Sequence, residues 1–170
     1  MIRKALKINI KTMDKKTKEV LLDIIRDHGD ATVTVIMKTC YLIDLTAQKR
    51  LKQPITNLQY IRYNYGPFDS NIYRYLLRLI EADLVTTDTK YFSVGGNEVV
   101  TYKLKDISKT FETDLKQGEK EIVDEVLSSI RGLGARMLTE IAYQTAPMKK
   151  IGAKIGNNEG LGKKLDLKVR

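Results

Sequence analysis

The chain is poor in the residues that build metal and nucleophile sites: it has one cysteine and one histidine in 170 residues. A single thiol, Cys40, closes no internal disulfide, which fits a reducing compartment. One Cys and one His fall short of a structural zinc site, which takes four nitrogen or sulfur ligands. His28 and Cys40 stand 12 residues apart on different predicted helices, so they do not read as base and nucleophile. Such a pair also needs a third group to orient the base. His28 is expected at a helix end, facing the dipole. Cys40 is expected on an apolar stripe, where a free cysteine behaves as a small hydrophobe. No apolar run approaches about 18 residues, so no transmembrane helix is expected. The basic first 18 residues lack the long apolar run and small residues of a signal peptide. The expectation is a cytoplasmic chain with no metal, no cofactor and no membrane contact.

Cofactor loops are missing as well. Residues 156–164 superficially suggest a phosphate-binding loop, but Asn157 occupies the place of its first glycine. Lys164 stands where a Ser or Thr must ligate magnesium, and no strand precedes the segment. Gly95-Gly96 reads as a hairpin turn and not a dinucleotide fingerprint, because no helix follows it. The carboxylate pairs Glu119/Glu121 and Asp124/Glu125 read as helix N-terminal charge and a solvated face. With no nucleophile and base, no metal set and no cofactor loop, the chain is not expected to be an enzyme.

What is present suits a globular domain: 42% hydrophobic residues, 30% charged residues and a net charge of +9. The charge is unevenly placed. Residues 1–18 carry seven Lys/Arg against one Asp, and residues 148–170 carry seven against two acids. The middle, residues 19–147, carries 16 basic and 18 acidic residues, a net of −2. Basic ends of this kind give weak, salt-sensitive attraction to nucleic acid without specifying a sequence. The expected organisation is a basic N-terminal arm over 1–14, a folded domain over 15–150 and a basic mobile tail over 151–170.

Apolar periodicity predicts a helix over 15–28, capped by Asp14 and stopped by Gly29. A second, mostly apolar helix is predicted over 32–50, which places it centrally in the core. A tyrosine-rich strand over 58–65 is expected to end at Gly66-Pro67. Asp69 or Ser70 then caps a helix over 71–83. A hairpin pairs 90–94 with 98–104 across Gly95-Gly96-Asn97. Helices over 119–130 and 136–144 complete the set, the last ending near Pro147. The fold class is therefore α+β, mainly α-helical. The order helix, helix, strand, helix, β-hairpin, two C-terminal helices is that of a helix bundle with a winged-helix-like arrangement. That order is compatible with DNA recognition but does not imply it.

Residues 36–84 carry a more specific pattern. Lys38, Tyr41, Leu42 and Asp44 match a K-L-x-Y-L-x-D helix, Pro54-Ile55-Thr56 follows, and Tyr60, Tyr63 and Tyr65 lead into Gly66-Pro67. In order and spacing this resembles the Panacea, or SocA-like, antitoxin domain family, over roughly residues 17–150. The resemblance implies a cytosolic antitoxin that binds and neutralises a protein toxin encoded beside it. In some members it implies an adaptor that hands the toxin to a protease. The family is also found in phages and mobile elements.

Tyr41, Asp44, Pro54, Tyr65, Gly66 and Pro67 carry the family pattern and are assigned to the scaffold. Arg62, Tyr63, Tyr73, Arg74, Tyr75 and Arg78 are assigned to partner contact, because exposed aromatic and arginine residues dominate interface hot spots. The competing reading is a winged-helix DNA-binding regulator, with helix 71–83 in the major groove and Arg74 and Arg78 on base edges or phosphates. Charge opposes it: residues 60–103 hold five basic and five acidic residues, without the positive excess that displaces counterions.

Overall fold

The structure is a computed structural model that describes residues 13–91 and 96–170. The expected basic arm therefore lies almost wholly outside the described residues, as do residues 92–95 of the expected hairpin turn.

Helix α1 spans Lys15–His28. The Asp14 carboxylate accepts from Thr17 N at 2.7 Å, satisfying one of the free amides at the helix start. Gly29, at φ 82°, ends it. A two-residue strand that the sequence pattern does not announce, β1 (Ala31–Thr32), follows. Thr32 also caps α2 (Val33–Leu51), accepting from Val35 N through its side chain. Helix α2 is buried along most of its faces and packs against α1 and the two longer C-terminal helices. Its near-uniform apolarity is the reason for its central place.

The expected single strand over 58–65 is instead two short strands folded on each other. Strand β2 (Ile61–Tyr63) pairs antiparallel with β3 (Gly66–Phe68), in the register Ile61↔Phe68 and Tyr63↔Gly66. Gly66-Pro67 does not end a strand; it begins the return strand. Gly66 takes φ 97°, which only glycine adopts without strain. Pro67 is tolerated because β3 is an edge strand.

Helix α3 (Asn71–Glu81) starts under Asp69, whose carboxylate accepts from Asn71 N at 2.9 Å and from Gln59 N at 2.8 Å. Ser70 makes no capping bond through its side chain. The hairpin of β4 (Val85–Tyr91) and β5 (Glu98–Leu104) then forms, its first strand beginning five residues before the expected start. Strand β1 joins β5, giving a sheet of order β1-β5-β4. Helices α4 (Gln117–Ser129) and α5 (Ala135–Tyr143) follow. A further short helix, α6 (Ala146–Lys150), contains Pro147, which is accepted because it lies in the first turn. The architecture is α+β and mainly helical, with α2 at the centre of one apolar core. Among the described residues no helix is long and apolar enough to cross a membrane.

The expected mobile tail is corrected. Residues 151–170 run as a strap across the outer edge of β2. Arg62 N donates to Lys163 O at 2.8 Å, Gly162 N to Arg62 O at 2.7 Å and Leu165 N to Tyr60 O at 2.9 Å. Ala153 and Leu165 are buried. The glycines that read as disorder in the sequence are turn residues: Gly152, Gly156, Gly160 and Gly162 all have positive φ.

Candidate functional site

The motif residues divide into a buried network and an exposed rim. Asp44 is the centre of the network and is fully buried. Its Oδ1 accepts from the backbone N–H groups of Ile55 and Thr56, both at 2.9 Å. Its Oδ2 accepts from Thr56 Oγ1 at 2.5 Å and Tyr60 OH at 2.6 Å. Burial raises the Asp44 carboxyl to about 6, and the hydrogen bonds from Thr56, Tyr60 and Ile55 work against that rise. Asp44 thus fastens the 52–60 loop onto α2.

The ring of Tyr41 meets that of Tyr60 edge-on, with centroids 5.3 Å apart. Thr145 Oγ1 donates to Ala142 O, so the Tyr41 hydroxyl, 2.7 Å away, is the donor to Thr145. Burial pushes the Tyr41 phenol up to about 12. Cys40 is fully buried, and burial holds its thiol well above its ordinary range.

Gly66 and Pro67 are buried where the hairpin meets α2 and α5. A Cβ on Gly66 would lie 3.2 Å from the Tyr143 ring, a tight approach that adds to the strain a side chain would meet at this positive φ. Lys38 Nζ donates to Pro67 O at 2.9 Å. Pro54 lies exposed in the loop after α2. Tyr65, assigned by its pattern to the scaffold, is 73% exposed.

Two of the six residues assigned to partner contact are buried instead. Arg62 is 1% exposed. Its guanidinium donates to Tyr63 O at 2.8 Å and to Asn157 O in the strap at 2.6 Å, and it lies over the Tyr143 ring. It therefore ties the strap to the body of the protein. Tyr75 is buried on the inner face of α3, its hydroxyl donating to Asn57 Oδ1 at 2.5 Å. Both expectations failed for the same reason: an amphipathic side chain reads as surface until its polar tip has a partner in the fold.

The other four stay accessible: Tyr63 and Tyr73 are about half exposed, Arg74 is exposed and Arg78 half-buried. Tyr63 stacks on Phe68 with centroids 5.2 Å apart, and Phe68 meets Tyr73 at 6.1 Å. These rings border a cleft of about 250 Å³, which is also lined by Val33, Met37, Lys38 and Tyr65. Tyr65 and Thr34 also line a neighbouring cleft of about 460 Å³ against α5, where Ile155 of the strap is exposed. The hairpin, α2, α3 and the strap thus converge on one aromatic surface.

Phe68 and Lys38 are absent from the residues assigned to contact by sequence. A signal for Lys38 exists: a lysine midway along a helix that is apolar nearly all round must be buried or paired. Phe68 carries no comparable signal, since only the fold-back of β3 brings it beside Tyr63.

Fold and site together define a helix-rich α+β domain that presents an exposed aromatic cleft beside a buried carboxylate hub. Residues 36–147 match the family model described as antitoxin SocA-like, Panacea domain, and the chain belongs to that family. The match spans the carboxylate hub, the four aromatic residues of the cleft and the β4–β5 hairpin. No curated protein matches the chain, and no solved structure does.

Proposed function

We propose that the protein is an antitoxin that neutralises a protein toxin by direct binding, acting by contact and not by catalysis. The observation that carries this reading is the cluster of Tyr63, Tyr65, Phe68 and Tyr73 around one cleft, within the segment that matches the antitoxin family. Rigid, half-exposed aromatic rings supply large contact area at low entropic cost, which is what interface anchors need. Delivery of the bound toxin to a protease is a further step that the same surface would serve.

The test is a growth assay in which the small open reading frame beside this gene is expressed alone and then with this protein. Toxicity of the neighbour, rescue by the wild type and recovery of a complex support the reading. Tyr65→Ala combined with Tyr73→Ala is expected to weaken the complex by about 100-fold, the loss of two anchors of about 1–2 kcal/mol each. The melting temperature of this variant is expected to stay close to wild type, because both side chains are exposed. A harmless neighbour, or full rescue by the double variant, refutes the proposal.

A specific observation favours DNA binding as the second reading. The sheet order β1-β5-β4, with α3 directly before the hairpin, follows the winged-helix arrangement. Yet the exposed face of α3 sets Tyr73 and Leu77 beside Arg74, and on the hairpin Lys90 and Lys103 are paired with Asp30. On the antitoxin reading, duplex binding is weak, and Arg74→Glu with Arg78→Glu leaves its salt slope unchanged. A salt slope that falls by about two in that variant would move the site to DNA.

A further inference from the structure

Lys38 is 3% exposed and lines the aromatic cleft. A buried ammonium is ordinarily paired with a carboxylate, because its desolvation is otherwise uncompensated. Among the described residues none pairs with it: its one hydrogen bond goes to a neutral carbonyl, Pro67 O. The nearest buried acid along α2, Asp44, is already satisfied by four donors. Burial alone lowers the amine to about 8, with no neighbouring charge opposing it. If the only task at position 38 were to hold Pro67 O, a neutral donor would do so without burying a charge. Lys38 lines a cleft walled by Val33, Met37 and tyrosine rings, and its ammonium has N–H groups beyond the one given to Pro67 O.

We propose that this cleft is the subsite for an acidic side chain of the partner protein, an aspartate or glutamate presented beside an apolar residue. The carboxylate pairs with Lys38 Nζ, and the stem lies among Tyr63, Tyr65 and Tyr73. A phosphate fits this site poorly, since one cation without an arginine fork offers it too few donors. A chain-terminal carboxylate fits less well too, because it brings a peptide N–H that the apolar lining leaves unpaired. The assignment deepens the antitoxin reading and rests on it for the partner being a protein; the cleft itself is testable without that partner.

The probe is 3-phenylpropionate, which carries a carboxylate on a short stem beside a ring, set against its neutral amide, 3-phenylpropanamide. Each is titrated into the full chain while the Met37 methyl resonance is followed by NMR. The acid is expected to bind at least tenfold more tightly than the amide. Lys38→Met is expected to abolish that preference while melting at or above the wild-type temperature, because it removes an unpaired buried charge. Equal binding of acid and amide to the wild type overturns the proposal, as does the absence of any Met37 shift with the acid at millimolar concentration. The wild-type ratio decides by itself if the variant does not fold. Tight acid binding by a protein whose neighbour proves harmless would refute the toxin reading and leave the acidic subsite standing.

Discussion

Replacing Asp44 by alanine is expected to lower the melting temperature by about 10–15 °C. The substitution strips the acceptor from two backbone amides, the Thr56 hydroxyl and the Tyr60 hydroxyl, all in the interior. Each buried donor left unpaired costs about 1–3 kcal/mol, so four donors that lose their acceptor cost about 4 kcal/mol even at the low end of that range. For a chain of this size about 1 kcal/mol corresponds to about 2–4 °C. A loss below a few degrees would mean that the 52–60 loop is not held by this carboxylate.

The same group gives the fold a pH dependence of definite sign. The Asp44 carboxyl is raised from 3.8 to about 6 by burial. Between those values the folded state holds a proton that the unfolded state has released, so stability falls as pH rises through that window and levels off above it. The size is about 3 kcal/mol, from about two pH units at about 1.4 kcal/mol each. Asp44→Asn removes the titration, so the stability of wild type relative to Asp44→Asn should fall between pH 4 and pH 6.5 in urea unfolding. A difference that is flat with pH would refute the assignment. Lys38 acts at the other end: its amine is lowered from 10.5 to about 8, so its cost is greatest below pH 8 and is relieved as pH rises toward 10.5. At neutral pH both buried ions weigh against the fold. For Asp44 the compensation is visible as four hydrogen bonds; for Lys38 it is supplied by the proposed partner carboxylate.

Deleting residues 152–170 is expected to lower the melting temperature by about 10 °C. The deletion removes the Lys163, Gly162 and Leu165 backbone bonds to β2 and Tyr60. It uncovers Arg62 and takes away Asn157 O, the acceptor of its guanidinium. Three backbone bonds at about 1 kcal/mol each, with the buried Leu165 side chain at about 2 kcal/mol, set the scale. Leu165→Ala alone should produce a smaller drop of the same sign. If the truncated protein melts with the full chain, residues 152–170 are dispensable to the fold, as their composition suggests.

The strap shows why composition misled. Gly-rich and Lys-rich segments without periodicity usually lack the apolar surface to fold. Here the segment needs little of its own, because it adds to an existing strand and buries only a few side chains. Its glycines supply positive-φ turns, and at Gly160 a Cβ would stand within 3 Å of Ile151. Arg62 fails as a surface residue for the complementary reason: its partner, Asn157 O, lies 95 residues away in sequence.

The sequence by itself determined the elements whose signals are local. Asp14 and Gly29 bracket α1 at the expected residues, α2 and α3 lie within two residues of their expected ends, and the return strand β5 spans its expected residues, although it pairs with 85–91 and not with the expected 90–94. It also determined family membership, because the motif spacing from Lys38 to Pro67 is itself a sequence property. The tertiary structure alone decided the reversal at Gly66, the packing of the strap, the burial of Arg62 and Tyr75, and the meeting of Lys38 with four aromatic rings at one cleft. Helix periodicity and caps are written within a few residues of where they act. A cleft is made by segments tens of residues apart, and their meeting depends on how α2 packs against the hairpin and α3, which no local pattern encodes.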